Sequence, residues 1–147
     1  MKTSQTGLDL IKKSEGFRAS TYLDVAGFPT IGYGHKLTHP NQFPNGISET
    51  EASVILSTDV ASAEGAVSHL VRVALTQGQF DALVDFVFNL GAGRLQGSTL
   101  LRDLNAGQYA PAAEQILAWD HGVVNGRETE LSALKARRLA EHTLWNS

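Results

Sequence analysis

The densest run of side chains able to do chemistry lies between Glu15 and His35. Glu15 precedes Gly16 at the end of an amphipathic stretch, so its carboxyl is expected at a helix C-terminus, beside unpaired carbonyls that carry partial negative charge. That setting opposes a carboxylate and favours a carboxyl that keeps its proton. Asp24 falls in the turn Asp24-Val25-Ala26-Gly27, where solvent and backbone N–H groups support the ionised form. A hairpin folding back on the helix end would face the two groups toward each other. Two carboxyls held in different protonation states are what acid/base glycoside hydrolysis requires. Each also has an ordinary structural explanation, since Glu before Gly at a helix end and Asp in a hairpin turn are both commonplace.

The elements that must position these groups follow from periodicity and turn residues. Leu8, Leu10 and Ile11 predict a short amphipathic helix over about Ser4–Ser14, with Lys12 and Lys13 in its last turn and Gly16 as its stop. Two β-prone runs, Ser20–Leu23 and Thr30–Tyr33, flank the turn at Asp24. Pro40, Pro44 and Asn45-Gly46 mark a loop. Ser48-x-x-Glu51 is a capping box that opens a long helix, apolar from Val54 to Val71, with Gly65 marking where it would bend or break. Thr76-x-x-Gln79 opens another, whose apolar residues from Phe80 to Leu90 cover several faces and predict a helix buried all round; Gly91 and Gly93 end it. Further helices are predicted over about Ser98–Asn105, Ala110–Ala118 and Leu131–Leu144. The fold class is α+β and mainly helical, with a small β-hairpin lobe.

Composition narrows the function classes. The 147 residues are enough for one domain with its own core. The absence of cysteine excludes disulfides, thiol catalysis and cysteine-ligated metal sites. A net charge of −3 argues against dedicated nucleic-acid binding. The first residues hold no apolar run of signal-peptide length, so neither a secretory signal nor a membrane anchor is expected. His35 and His39 flank Gly34 and Pro40 rather than sharing a helix face, which speaks against a metal site. Gly91-x-Gly93 follows a helix and reads as a cap rather than a nucleotide loop, and Ser98 as a helix N-cap. Lys135, Arg137 and Arg138 read as a solvated helix end, with attraction to an anionic polymer or approach to Glu15 as the alternative. Trp119 and Trp145 read as packing residues before sugar-stacking ones.

Longer strings add a resemblance. Glu15-Gly16-Phe17-Arg18, Tyr22-x-Asp24 and Gly27-x-Pro29-Thr30-Ile31-Gly32-Tyr33-Gly34-His35 resemble the phage-type lysozymes, the endolysins of glycoside hydrolase family 24, in which Glu, Asp and Thr recur at the spacing of Glu15, Asp24 and Thr30. The likeness continues through Leu75-Thr76-Gln77, Phe88-Asn89-Leu90-Gly91, Ser98-Thr99-Leu100-Leu101 and Arg137-Arg138-x-Ala140-Glu141 to Leu144-Trp145. Where many relatives place Pro-Gly-Leu before the C-terminal basic run, this chain has Leu131-Ser132-Ala133-Leu134-Lys135, which alters the local loop.

The resemblance implies a single lysozyme-like domain over 1–147. A β-hairpin lobe would span about 14–47 and a connecting helix about 48–71, leading to a helical C-terminal lobe over about 72–147 on which the 4–14 helix packs. It implies hydrolysis of the β-1,4 bond between N-acetylmuramic acid and N-acetylglucosamine in peptidoglycan, by inversion with a bound water. Glu15 would be the general acid, while Asp24 and Thr30 would stabilise charge and position the water. Tyr33 and Asn89 would contact substrate, and His35 and Asp59 would form a structural ion pair. No metal or organic cofactor is implied, because the chemistry is proton transfer plus charge stabilisation. The implied partners are peptidoglycan glycan strands and a holin-type pore for export, with no nucleic acid and no stable membrane insertion. The chain would work as a monomer, held in the host cytoplasm until lysis and then in the periplasm or cell wall. A lytic transglycosylase is the first alternative, and Asp24 with Thr30 speaks against it. A non-enzymatic peptidoglycan binder is the second, and Glu15 speaks against that.

Overall fold

The computed structural model describes the backbone of residues 1–147 and the side chains of all but Val124, Glu128, Thr129 and Glu130. The order along the chain is α1 (Gln5–Glu15), β1 (Arg18–Leu23), β2 (Pro29–Gly32), β3 (His35–Lys36), α2 (Glu49–Leu70), α3 (Gln77–Leu90), α4 (Ala92–Gln96), α5 (Thr99–Asn105), α6 (Tyr109–Ile116), β4 (His121–Val124), β5 (Arg127–Glu130) and α7 (Ser132–Trp145). This is the mainly helical α+β class expected. Asp9–Ser62 forms one compact unit, and Met1–Leu8 with Ala63–Ser147 forms another.

In the Asp9–Ser62 unit, three antiparallel strands lie in the order β1-β2-β3. Tyr22 pairs with Thr30, and Thr30 pairs with Lys36. Strand β1 starts at Arg18, earlier than expected, because the pairing shifts between Arg18 and Tyr22 and the alternation that would reveal a strand is lost. β3 is two residues long, too short to carry a periodic signal. Ile11, Ile31, Leu37, Ile47, Leu56 and Val60 make the core. Helix α2 opens on the Ser48 box, with Glu51 N–H donating to Ser48 Oγ at 3.1 Å and Ser48 N–H to Glu51 Oε1 at 3.2 Å. It runs unbroken through Gly65, where an added Cβ would meet open space, so the helix does not break there.

The other unit is built on α3. Thr76 and Gln79 form its capping box, and every residue from Phe80 to Val87 is buried. Asp81 is among them, and it accepts from Ser4 N–H at 3.0 Å, from the Ser4 hydroxyl and from Gln77 Nε2 at 2.8 Å. Glu64 accepts from Thr3 N–H at 2.9 Å and from the Thr3 hydroxyl at 2.8 Å, so two carboxylates tie down the start of the chain. Ser98 caps α5. A hairpin, absent from the elements expected, joins β4 to β5 through Asn125 and Gly126, whose residue types are themselves a turn signal. Trp145 is buried, and Trp119 meets Phe86 edge-on with ring centroids 5.6 Å apart. Where Pro-Gly-Leu is missing, Leu131 N–H bonds Asp120 O at 2.9 Å and α7 starts directly afterwards, without a side-chain cap.

Arg137 and Arg138 on α7 correct the expectation of a solvated helix end, whereas Lys135 is exposed as expected. Arg137 is 7% and Arg138 0% exposed. Arg137 grips Asp85 with two bonds of 2.9 and 2.7 Å, and Arg138 donates to Glu141 Oε1 at 2.7 Å while its guanidinium lies 5.2 Å from the Phe86 ring centre. The reason is α3 itself: a helix buried all round that carries Asp85 must be met by a cation.

These carboxyls make opposite pH predictions. Burial raises Glu64, but its bonds from Thr3 and Lys2 outweigh that and hold it below the usual carboxylate value of 4.5. The stability it contributes is present above that value and lost as pH falls through the lower folded one. Burial first, and Asp85 beside it second, push Glu141 well above 4.5, with Arg138 and Arg137 offsetting only part. A proton on Glu141 Oε2, which accepts no bond, would let it donate to Asp85. Stability from Glu141 therefore declines as pH rises from 4.5 toward its raised folded value. In urea midpoints measured against pH, Glu141→Gln should flatten the decline above 4.5, and Glu64→Gln the loss on the acid side.

Candidate active site

Glu15 is the last residue of α1, placed there because Gly16, at φ +72°, ends the helix with its N–H on Lys12 O at 2.9 Å. Its half-buried carboxyl lies directly on the backbone of Gly34, where an added Cβ would stand 2.8 Å from Glu15 Oε2 and 3.1 Å from Cδ. The φ of Gly34 is +71°. Residue 34 is thus a position of close approach to Glu15, and a glycine beside a strand is itself a signal of such an approach.

Asp24 is held differently. Its Oδ1 accepts the N–H groups of Ala26 and Phe28, each at 2.9 Å, and its Oδ2 accepts the Lys36 ammonium. All three partners donate, so the group serves them as an ionised acceptor. Lys36 was not singled out in the sequence, because only the β2–β3 register brings it there. Thr30, 1% exposed, donates its hydroxyl proton to Phe28 O at 2.9 Å, and the same carbonyl accepts the Asp24 N–H at 2.9 Å. The Phe28 peptide therefore links Asp24 and Thr30 from both of its ends.

The other sequence candidates have definite places. Tyr33 is 9% exposed, its ring 5.6 Å from that of Phe17 and 5.5 Å from Lys12 Nζ. His35 Nδ1 lies 2.7 Å from Asp59 Oδ2, a bond that requires the proton on Nδ1. Asn89 belongs to the other unit, near the end of α3, where its Oδ1 accepts Arg138 Nη2 at 2.9 Å. That bond fixes the amide and leaves its NH₂ as the group with donors to offer.

The contact at Gly34 gives a direct test. Gly34→Ala adds a methyl where Glu15 Oε2 sits and also imposes a left-handed conformation on alanine, which costs about 1–2 kcal/mol. Displacing a catalytic carboxyl by about 1 Å lowers turnover roughly 10²-fold. The expected result is that loss in wall-clearing rate, with circular dichroism showing a folded protein.

The profile of the phage lysozyme family matches residues 12–141. The chain is 40% identical over 147 residues to an endolysin of Acyrthosiphon pisum secondary endosymbiont phage 1, covering 100% of this chain and 99% of that one. It is 38% identical over 150 residues to an endolysin of Salmonella phage P22, with the same coverage. Among solved structures, the muramidase domain of SpmX from Asticaccaulis excentricus superposes with a TM-score of 0.91 at 35% identity, covering 99% of this chain and 98% of that one. With a lysozyme-like fold and full-length similarity to endolysins, the chain belongs to the phage lysozyme family.

Proposed function

We propose that this chain is a peptidoglycan-hydrolysing endolysin that cleaves the β-1,4 bond between N-acetylmuramic acid and N-acetylglucosamine. Membership of the phage lysozyme family across residues 12–141 supports the enzyme class. The observation that carries the assignment of roles is the contrast between two carboxyls. Glu15 stands at the carbonyl-rich end of α1, whereas Asp24 is gripped by three donors. Glu15 gives its proton to the glycosidic oxygen as the bond breaks. Asp24 stabilises the positive charge that develops on the sugar ring, and with Thr30 it orients a water on the opposite face, so the reaction inverts. Tyr33 and Asn89 contribute substrate contacts, and the His35–Asp59 pair holds the end of the sheet. The chain works as a monomer. It waits in the host cytoplasm until a holin-type pore delivers it to the wall; clearing of intact cells only when such a pore is co-expressed is the expected behaviour.

Glu15→Gln removes the transferable proton while keeping the shape, and turnover should fall by roughly 10²–10⁴. Retention of more than about a tenth of the wild-type rate would remove Glu15 from the acid role. Thr30→Val keeps the shape without the hydroxyl, so turnover should drop sharply while wall binding persists. Mass spectrometry of the digest should give reducing N-acetylmuramic acid ends. Fragments one water lighter, with 1,6-anhydro ends, would overturn the roles of Asp24 and Thr30 together.

A further inference from the structure

A concavity of about 570 Å³ lies between the end of α2 and α5, lined by Arg72, Gln96, Ser98, Leu101, Arg102 and Asn105. Its walls are fixed by bonds among themselves. Asn105 Oδ1 accepts the Arg72 N–H at 2.8 Å and its Nδ2 donates to Leu70 O at 3.0 Å, so one side chain closes the last turn of α2 and sets where Arg72 leaves it. Buried Ser98 donates to Leu95 O at 2.7 Å and accepts from Leu101 N–H at 3.1 Å, which fixes the start of α5. Arg102 Nη2 donates to Thr99 Oγ1 at 3.3 Å. Among the described residues lining the concavity, two are arginines and none carries a carboxylate, on a chain whose net charge is −3. The polar groups of Ser98 and Asn105 are committed to the walls, so the polar side chains left for an incoming group are those of Arg72, Arg102 and Gln96, of which only the two arginines are charged.

We propose that this concavity is an anion site for the cell wall, in which Arg72 and Arg102 hold a carboxylate of a peptidoglycan stem peptide or a phosphate of a wall polymer. Guanidinium forks match both oxyanions. The volume is that of a small-ligand pocket rather than a single ion, so it accommodates the residue or repeat unit that bears the anion. The inference rests on the peptidoglycan reading and adds to it. A chain of net negative charge working in an anionic matrix needs local cationic contacts that keep it on the polymer between cuts.

Three soluble probes test the site by ¹⁵N NMR: acetyl-lysyl-D-alanyl-D-alanine, its C-terminal amide, and glycerol phosphate. The free acid or the phosphate should move the amide signals of Arg72, Ser98, Arg102 and Asn105, the stronger binder identifying the source, while the amide probe should not. Arg72→Ala/Arg102→Ala, both exposed positions, should abolish these shifts. On whole walls the double variant should raise KM about three- to tenfold with kcat unchanged, and the difference should close in high salt. On a soluble glycan without peptide or phosphate it should match wild type. Absence of the shifts with both anions, their persistence in the double variant, or an unchanged KM on walls would each overturn the proposal. Failure of the hydrolase reading would be visible separately, as wild-type protein that leaves the soluble glycan intact.

Discussion

A carboxyl can rest on the backbone at residue 34 only because that residue has no Cβ, and the arrangement of the Asp9–Ser62 unit follows from this approach. It requires α1 to stop at Glu15, which Gly16 ensures. It also requires the chain after β2 to turn through a left-handed residue before β3 begins. The return strand then pairs Lys36 with Thr30, and Thr30 with Tyr22. A slip of one residue in that ladder would send Thr30 and Lys36 to the opposite face and leave Asp24 without its ammonium. The same register that buries Ile31 therefore sets the charge around Asp24.

The second unit obeys a different constraint. Asp81, Asp85 and Asn89 recur every four residues along α3, a polar stripe on a stretch that from Phe80 to Leu90 is otherwise apolar. Each has its own partner elsewhere: Ser4 for Asp81, Arg137 for Asp85 and Arg138 for Asn89. The stripe thus specifies how the N-terminal segment and α7 dock on α3. Hydrophobic burial alone would leave their rotation open, whereas a buried charge left unpaired would be strongly destabilising.

Much of this was legible in the sequence. The capping boxes at Ser48 and Thr76, the cap at Ser98 and the stop at Gly16 are local chemistry, and helix ends determined by caps come out within a residue or two. Glu15 and Asp24 stood out because each occupies a chain-reversal position of recognisable composition. What could not be read depends on partners distant in sequence. Arg137 and Arg138 look like solvent-facing cations until Asp85, 52 residues earlier, is placed beside the first of them. Lys36 becomes part of the site through a strand of two residues. The β4–β5 hairpin is a different matter, because Asn125-Gly126 carried the signal locally.

The hydrogen-bond inventory around Asp24 constrains the proposed chemistry further. An ionised carboxylate offers about four acceptor positions, and here two N–H groups and an ammonium take three. One position remains for a water. The Thr30 proton is committed to Phe28 O, so toward a water Thr30 can act only as an acceptor. A water bridging the two must donate both of its hydrogens, one to each, which leaves its lone pairs directed away from them. That is the orientation of a nucleophile. In the proposed reaction the three donors keep Asp24 a weak base at first, so it supplies fixed negative charge opposite the sugar cation. As the water oxygen bonds the sugar carbon and becomes acidic, its proton passes to Asp24 and from there to solvent. In the proposed chemistry, proton donation thereby falls to Glu15 at the end of α1, and charge stabilisation to Asp24, held by two backbone N–H groups and the Lys36 ammonium.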